Sequence, residues 1–297
     1  MKKNIKFWIM LGIVFLLSMS SQLLGQVNNI LTISPTAQEM MVGGMSTLYR
    51  NPAYNILNKD TTIQVEFTNV KWMTNIVDDM GWNYFHARYK EFNISLLQFN
   101  YGEQKEADVM GQVQSIFTPR STIYNFGWGT SLYYKNKKLE NTSIGFNLKI
   151  VHHDLYTVKG TGYLADVGLH FRKVYDLVNL NFMLKNWGYS ANIGGKGTEN
   201  PTSLNFGLHM PIKDFDIYNQ WNFFKGYYTH GQGISYNYKD MVKLKAGYYN
   251  DIDYKLNYPS LGLEVFYDKY QIGIGVLQGN DTHPLKNTML ITINMEL

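Results

Sequence analysis

The chain of 297 residues contains no cysteine. That excludes a disulfide framework, a thiolate metal centre and a lipid anchor carried on a thiol. It also lacks a strong charge of either sign: 27 Lys and Arg against 23 Asp and Glu leave a dispersed +4, so no nucleic-acid partner is expected. Beyond residue 26 no apolar run is long enough for a transmembrane helix, and helical periodicity is nowhere sustained. What the chain does have is aromatic side chains, 15% of all residues, with 23 Tyr and 16 Phe, yet its mean hydropathy is slightly negative. That combination fits many half-exposed strands better than buried helices.

The first residues read as an export signal. Lys2, Lys3 and Lys6 lead into the apolar run "FWIMLGIVFLLS", and "MSSQLLGQ" follows as a polar, small-residue exit. The run is short for a spanning helix, so residues 1–26 are expected to be a signal peptide cleaved near Gly25 or Gln26.

From residue 61 to residue 297 the period is two. "TIQVEF" sets Ile63, Val65 and Phe67 against Thr62, Gln64 and Glu66. "TSIGFNLKI", "GYLADVGLHFR", "SLNFGLHM" and the final "NTMLITINMEL" alternate in the same way. About fourteen such segments begin near residues 61, 81, 91, 121, 141, 160, 177, 200, 215, 230, 241, 258, 269 and 285. Links after even-numbered segments are short and charged ("YKEF", "PIKDFD", "NYKDMV", "YDKYQ"). Most links after odd-numbered ones are longer, with 102–120 the longest. Short turns on one side and long loops on the other are expected of an all-β, about 14-stranded antiparallel transmembrane barrel of the outer-membrane type. Aromatics such as Tyr124, Trp128, Tyr134, Trp187, Tyr189, Tyr227, Tyr228, Tyr248 and Tyr249 are expected in its interfacial girdles. The last strand, ending on Leu297, is expected to close against the first, so that no edge is left unpaired in lipid.

Residues 27–60 do not alternate. Gly43 and Gly44 permit positive φ, and Asn51–Pro52 favours a turn. A barrel of this size encloses more lumen than its own side chains fill. The segment is therefore expected to be a plug or hatch, with residues 61–297 forming the barrel.

The stretch "MMVGGMSTLYRNPAYNIL" resembles the amino-terminal signature of the PorV/PorQ family of outer-membrane proteins, relatives of FadL-type barrels. The Gly-Gly and Asn-Pro-Ala elements stand here as Gly43–Gly44 and Asn51–Pro52–Ala53. "YGEQKEADVMGQ", the paired "TSIGFNLKIVHHDL" and "TGYLADVGLHFR", "LNFMLKNWGY", "KLKAGYY" and "SLGLEVFYDKYQIGIGV" are similar to the family's later segments in order. The resemblance implies a monomeric barrel in outer-membrane lipid that assists type IX protein export or surface attachment. Its partners would be secreted cargo proteins or other secretion components, met by the longer loops. The FadL kinship implies an alternative, the passage of a small hydrophobic molecule past an apolar pocket beside Met40, Met41 and Met45. A soluble periplasmic all-β binding protein is the third reading.

No catalytic constellation stands out, and neither an enzyme nor a cofactor is expected. His152 and His153 are adjacent on a strand and face opposite sides, which makes a poor metal chelate. "DIDYKLN" lacks the Gly and distal Glu of a calcium loop, and "GGKGTEN" lacks the helix of a phosphate cradle. Alternation sends Glu66, Lys149, Asp166, His170, Arg172, Lys185, His209 and Glu264 into the lumen, where pairing with one another and with the plug is their expected role.

Overall fold

The computed structural model describes residues 30–57, 62–132, 141–174, 177–189, 192–193, 196–197, 200–251, 256–279, 284–286 and 288–297. The expected export signal, Tyr134, most of "GGKGTEN", residues 252–255 and the boundary near residue 60 lie outside the described residues.

The first half of the chain contributes β1 (Gln64–Lys71), β2 (Gly81–Tyr89), β3 (Phe92–Asn100), β4 (Gln104–Ala107), β5 (Val113–Phe117), β6 (Arg120–Ser131), β7 (Thr142–Asp154), β8 (Lys159–Val174) and β9 (Val178–Tyr189). The second half contributes β10 (Asn192–Ile193), β11 (Lys196–Gly197), β12 (Ser203–Ile212), β13 (Phe215–Phe224), β14 (Tyr228–Tyr238), β15 (Val242–Asp251), β16 (Tyr258–Tyr267), β17 (Tyr270–Leu277) and β18 (Thr288–Glu296). Fourteen of these form one closed antiparallel barrel, and β4–β5 and β10–β11 are separate hairpins in the long connections. Each barrel strand begins within three residues of a start expected from the sequence.

Closure is between β1 and β18, from Gln64 opposite Glu296 to Val70 opposite Leu290, and Ile63 and Leu297 exchange backbone hydrogen bonds at the rim. The sheet is one closed barrel, not two packed sheets. The two longest connections, from β3 to β6 and from β9 to β12, leave one rim. At the other rim the turns between strands carry left-handed residues, among them Lys90, Lys213, Lys239, Asp240 and Asp268, with φ between 51° and 55°. Two-residue hairpins demand that conformation.

Registers trace spiral rows of paired residues around the wall, because barrel strands tilt. One outward row runs Phe215, Tyr236, Leu244, Leu263, Ile274, Ile291 across six strands. It continues as Asn69, Asn83, Gln98, Thr122, His152, Thr161 across the next six. The change from apolar to polar falls at the β18–β1 seam. One row lower, Ile293 leads to Phe67, Phe85, Leu96, Tyr124, Ile150, Tyr163 and Tyr189, apolar or aromatic throughout. These rows bound a lipid-facing belt on the long-loop side.

Exposed aromatics mark both edges of the belt. Trp187, Tyr189, Phe223, Tyr228 and Tyr248 stand on the long-loop side, and Tyr89, Phe92, Phe215, Tyr238, Tyr267 and Tyr270 on the turn side. Tyr249 is an exception to the expected girdle: it points inward and stacks on Tyr258 with ring centroids 5.1 Å apart. Above the belt, β1–β8 invert the usual rule. Their outward face is polar while the inward Val70, Trp82, Phe99 and Val151 are buried.

The row gives a direct test. A lysine replacing Leu263 should cost ~2–4 kcal/mol of folding free energy in vesicles, and one replacing Gln98 on the same row about 0–1 kcal/mol. Urea titration of the reconstituted barrel measures both.

Candidate functional site

The lumen is the candidate site. Residues 30–57 lie inside it, built as two single-turn helices, Ala37–Met40 and Ser46–Tyr49, and a 3-10 stretch, Pro52–Leu57. Thr36 caps the first, its Oγ1 accepting from the Glu39 N–H at 3.2 Å.

Glycines on the inner wall make room for this segment. A Cβ on Gly262 or Gly275 would collide with Met41, on Gly233 with Val42, on Gly231 or Gly247 with Gly43, and on Gly207 with Thr47. A Cβ on Gly168 would strike Asn51, and one on Gly129 or Gly145 would strike Pro52. Residues 41–53 thus follow the inside of the wall from β17 through β14, β12 and β8 to β6, along a belt of glycines interrupted by side chains on β13 and β9. Gly43 is itself required: its φ is +78° and a Cβ would sit 2.6 Å from the Gln232 carbonyl oxygen. Gly44 shares the conformation at +80°.

Polar anchors fix the register. Gln220 accepts from the Thr47 N–H at 2.9 Å and donates to the Gly44 carbonyl at 3.3 Å. Asn51 donates to the Leu169 carbonyl of β8 at 3.1 Å, while its own Oδ1 accepts from the Ala53 N–H at 3.0 Å. Asn-Pro-Ala is therefore a turn whose Asn side chain is tied to the wall, with Pro52 lying over the glycines of β6 and β7 and Ala53 buried. Glu39 is fully buried and accepts from Arg50 Nε at 2.7 Å, an ion pair within the segment.

The wall's charges also meet partners. Lys245 and Glu264 form a buried pair. Lys149 reaches Asp166 at 2.6 Å, and Asp166 accepts from the Asn186 N–H at 2.8 Å beside a register irregularity between β8 and β9. His209 meets Asp216 at 2.9 Å, and His170 meets Asn181 at 2.8 Å. Glu66 accepts from Thr68 and Thr292, each at 3.3 Å. Lys185 is buried on the same wall as Lys149, and Arg172 is exposed near the turn-side end of β8.

Alternation alone does not describe the inner face, which changes along the barrel axis. Towards the long-loop rim it is apolar: Val70, Trp82, Leu97, Phe99, Ile123, Val151, Leu164, Leu277 and Leu290 form one cluster with Ile30, Met40 and Met41. Trp72, Trp82 and Phe99 stack in series at 5.1 and 5.7 Å. Met45 belongs to a second cluster with Val42 and Tyr218. The three methionines thus divide between two packed clusters, and none lines either luminal cavity described next.

An inner cavity of about 50 Å³ is bounded by Leu31, Leu97, Asn125, Lys149, Asp166 and Lys185. Towards the turns a vestibule of about 490 Å³ opens among Glu66, Arg88, Tyr270, Gln271 and Asn294. Tyr49, Arg50, Tyr84 and His86 line both, so the Glu39–Arg50 pair sits at the partition. A vestibule of that volume is large enough for a small organic ligand, and the inner cavity holds little more than water.

Alternation assigns eight titratable residues to the lumen, of which Arg172 is exposed beside the register irregularity at the end of β8, and it misses Glu39, Arg50, Gln220 and the glycine belt. The signal for the belt was present: Gly145, Gly168 and Gly207 fall on the inner side of successive alternating segments.

No protein-family model and no curated protein matches the sequence. Solved structures match the fold. The Pseudomonas putida toluene transporter TodX superposes with a TM-score of 0.56 at 13% identity, covering 92% of this chain and 98% of that one. The CymD monoaromatic hydrocarbon channel gives 0.54 at 10% identity, with 91% and 97% covered. A Pseudomonas aeruginosa FadL homologue gives 0.52 at 10%, with 89% and 95% covered. At these identities the likeness is one of fold.

Two substitutions test the site's construction. Lys245→Met should destabilise by about 3–5 kcal/mol because it strands Glu264, whereas Lys245→Met with Glu264→Leu should be near neutral. Gly145→Val should unseat Pro52 and make residues 30–57 a target for added protease in detergent, while the barrel keeps its heat-dependent gel migration.

Proposed function

We propose that this chain is a non-enzymatic outer-membrane channel that passes a small, largely hydrophobic solute inward, with residues 30–57 as the element that must move. The observation that carries this reading is the axial polarity of the lumen. An apolar, aromatic inner face at the long-loop end leads to a polar vestibule of about 490 Å³ at the turn end, and the two are divided by Arg50 and its neighbours. A hydrophobic solute loses water at the first and regains a hydrated exit at the second. The named activities of the hydrocarbon channels with the same fold support this reading over one in protein export.

A protein-export role of the PorV/PorQ kind rests on the sequence resemblance and on one structural feature. The β4–β5 hairpin stands in the longest connection, and its tip presents Val109 and Met110 fully or nearly fully exposed. Asp108 holds that tip by accepting from the Gln112 and Met110 N–H groups, each at 2.9 Å, which keeps its carboxyl below the usual range. Such a tip suits contact with a protein.

The absence of native cysteine makes a decisive experiment simple. A Cβ on Gly207 would lie 3.2 Å from the Thr47 Cβ, so a shift of a few tenths of an ångström brings the pair into disulfide range. Cells expressing the chain should accumulate toluene severalfold faster than vector controls. The Thr47→Cys, Gly207→Cys protein should lose that advantage when oxidised and regain it on reduction. Unchanged accumulation, together with secreted proteins that co-purify only when residues 102–120 are intact, would favour the export reading.

A further inference from the structure

A second site lies outside the lumen. On the outward face, directly above the Phe67–Phe85–Leu96 row, a hollow of about 360 Å³ opens between the top of the wall and the loop joining β1 to β2. Its upper row runs Lys71, Gly81, Asn100, Arg120, and the row beneath runs Asn69, Asn83, Gln98, Thr122. Gly81 leaves a gap next to Lys71, and Asn100 stands between that gap and Arg120. Lys71 and Arg120 stand three strand spacings apart, about 14 Å. Among the described residues neither cation has an ion-pair partner. Asp78 and Asp79 border the hollow, and Asp79 is engaged by the Glu103 N–H at 3.0 Å. Asn69 donates to Asn83 at 2.8 Å, which holds two of the amides in a fixed pair.

We infer that this hollow binds the phosphorylated saccharide headgroup of an outer-leaflet glycolipid, whose acyl chains lie on Phe67, Phe85 and Leu96 below it. Three features select that occupant. The hollow is continuous with the lipid-facing belt, so whatever fills it is joined to an apolar tail. Two cations separated by one glycine and one amide suit phosphates at two ends of a sugar unit. The intervening amides and Asp78 offer the mixed donors and acceptors that sugar hydroxyls use. A plain phospholipid headgroup would engage one cation and leave the amide row unused. The same row on the far side of the seam is apolar (Ile291, Ile274, Leu263), so the site is confined to one flank of the barrel.

This inference rests on the reading of the barrel as an outer-membrane protein with its long connections facing outward. The test uses the full chain in detergent, titrated with bis-phosphorylated lipid A and, separately, with phosphatidylglycerol, with bound lipid counted by native mass spectrometry. Wild type should retain lipid A in preference to phosphatidylglycerol. Lys71→Ala with Arg120→Ala should weaken that retention on the order of tenfold or more, and Asn83→Ala with Gln98→Ala by less. Lys105→Ala with Lys225→Ala, which removes the same charge elsewhere on the long-loop side, should leave it unchanged. Equal retention by wild type and the Lys71, Arg120 variant, or equal retention of the two lipids by wild type, would overturn the site. Heat-dependent gel migration of every variant checks that each barrel is folded. A wild-type chain that shows no such migration and stays soluble without detergent would sink the membrane reading itself, an outcome distinct from failure of the site.

Discussion

Pairing β1 with β18 is the constraint on which everything else depends. An unpaired edge in hydrocarbon would strand backbone N–H and C=O groups at several kcal/mol each, so the sheet has to return to its own beginning. Closing fourteen strands sets the circumference and therefore the volume of the lumen. That volume exceeds what inward side chains occupy, and residues 30–57 take up much of the remainder.

The luminal segment is accommodated by subtraction rather than by added contacts. Glycines on strand after strand remove side chains along one track, and the backbone of residues 41–53 occupies that track at distances a Cβ would forbid. Specific polar ties at Gln220 and Asn51, and an internal Glu39–Arg50 pair, then fix one position along it.

Polarity varies along the axis as well as between faces. In the belt the outside is apolar and the inside mixed. Above it, on β1–β8, the outside is polar and the inside apolar, as in a water-soluble barrel. A strand such as "FNISLLQFN" carries both regimes: inward Asn93 and Ser95 give way to inward Leu97 and Phe99, while outward Ile94 and Leu96 give way to outward Gln98. β3 thus crosses from lipid to water with its pairing to β2 and β6 continuous.

Strand number and strand starts were legible in a period of two, because side-chain direction in a strand follows from its position alone. The apolar cap of the lumen was legible in part, since Leu97, Phe99 and Leu290 broke the polar face, but alternation gives no height along the axis. Height comes from register, and register is set by which residues pair across the thirteen connections and the β18–β1 seam. That is why the polar row at the β18–β1 seam, the division of Met40, Met41 and Met45 between two clusters, and the inward turn of Tyr249 had no counterpart in the linear pattern. Residue order fixes which way each side chain points; closure and tilt fix what stands opposite it, because those depend on residues more than two hundred positions apart, as with Phe67 and Ile293.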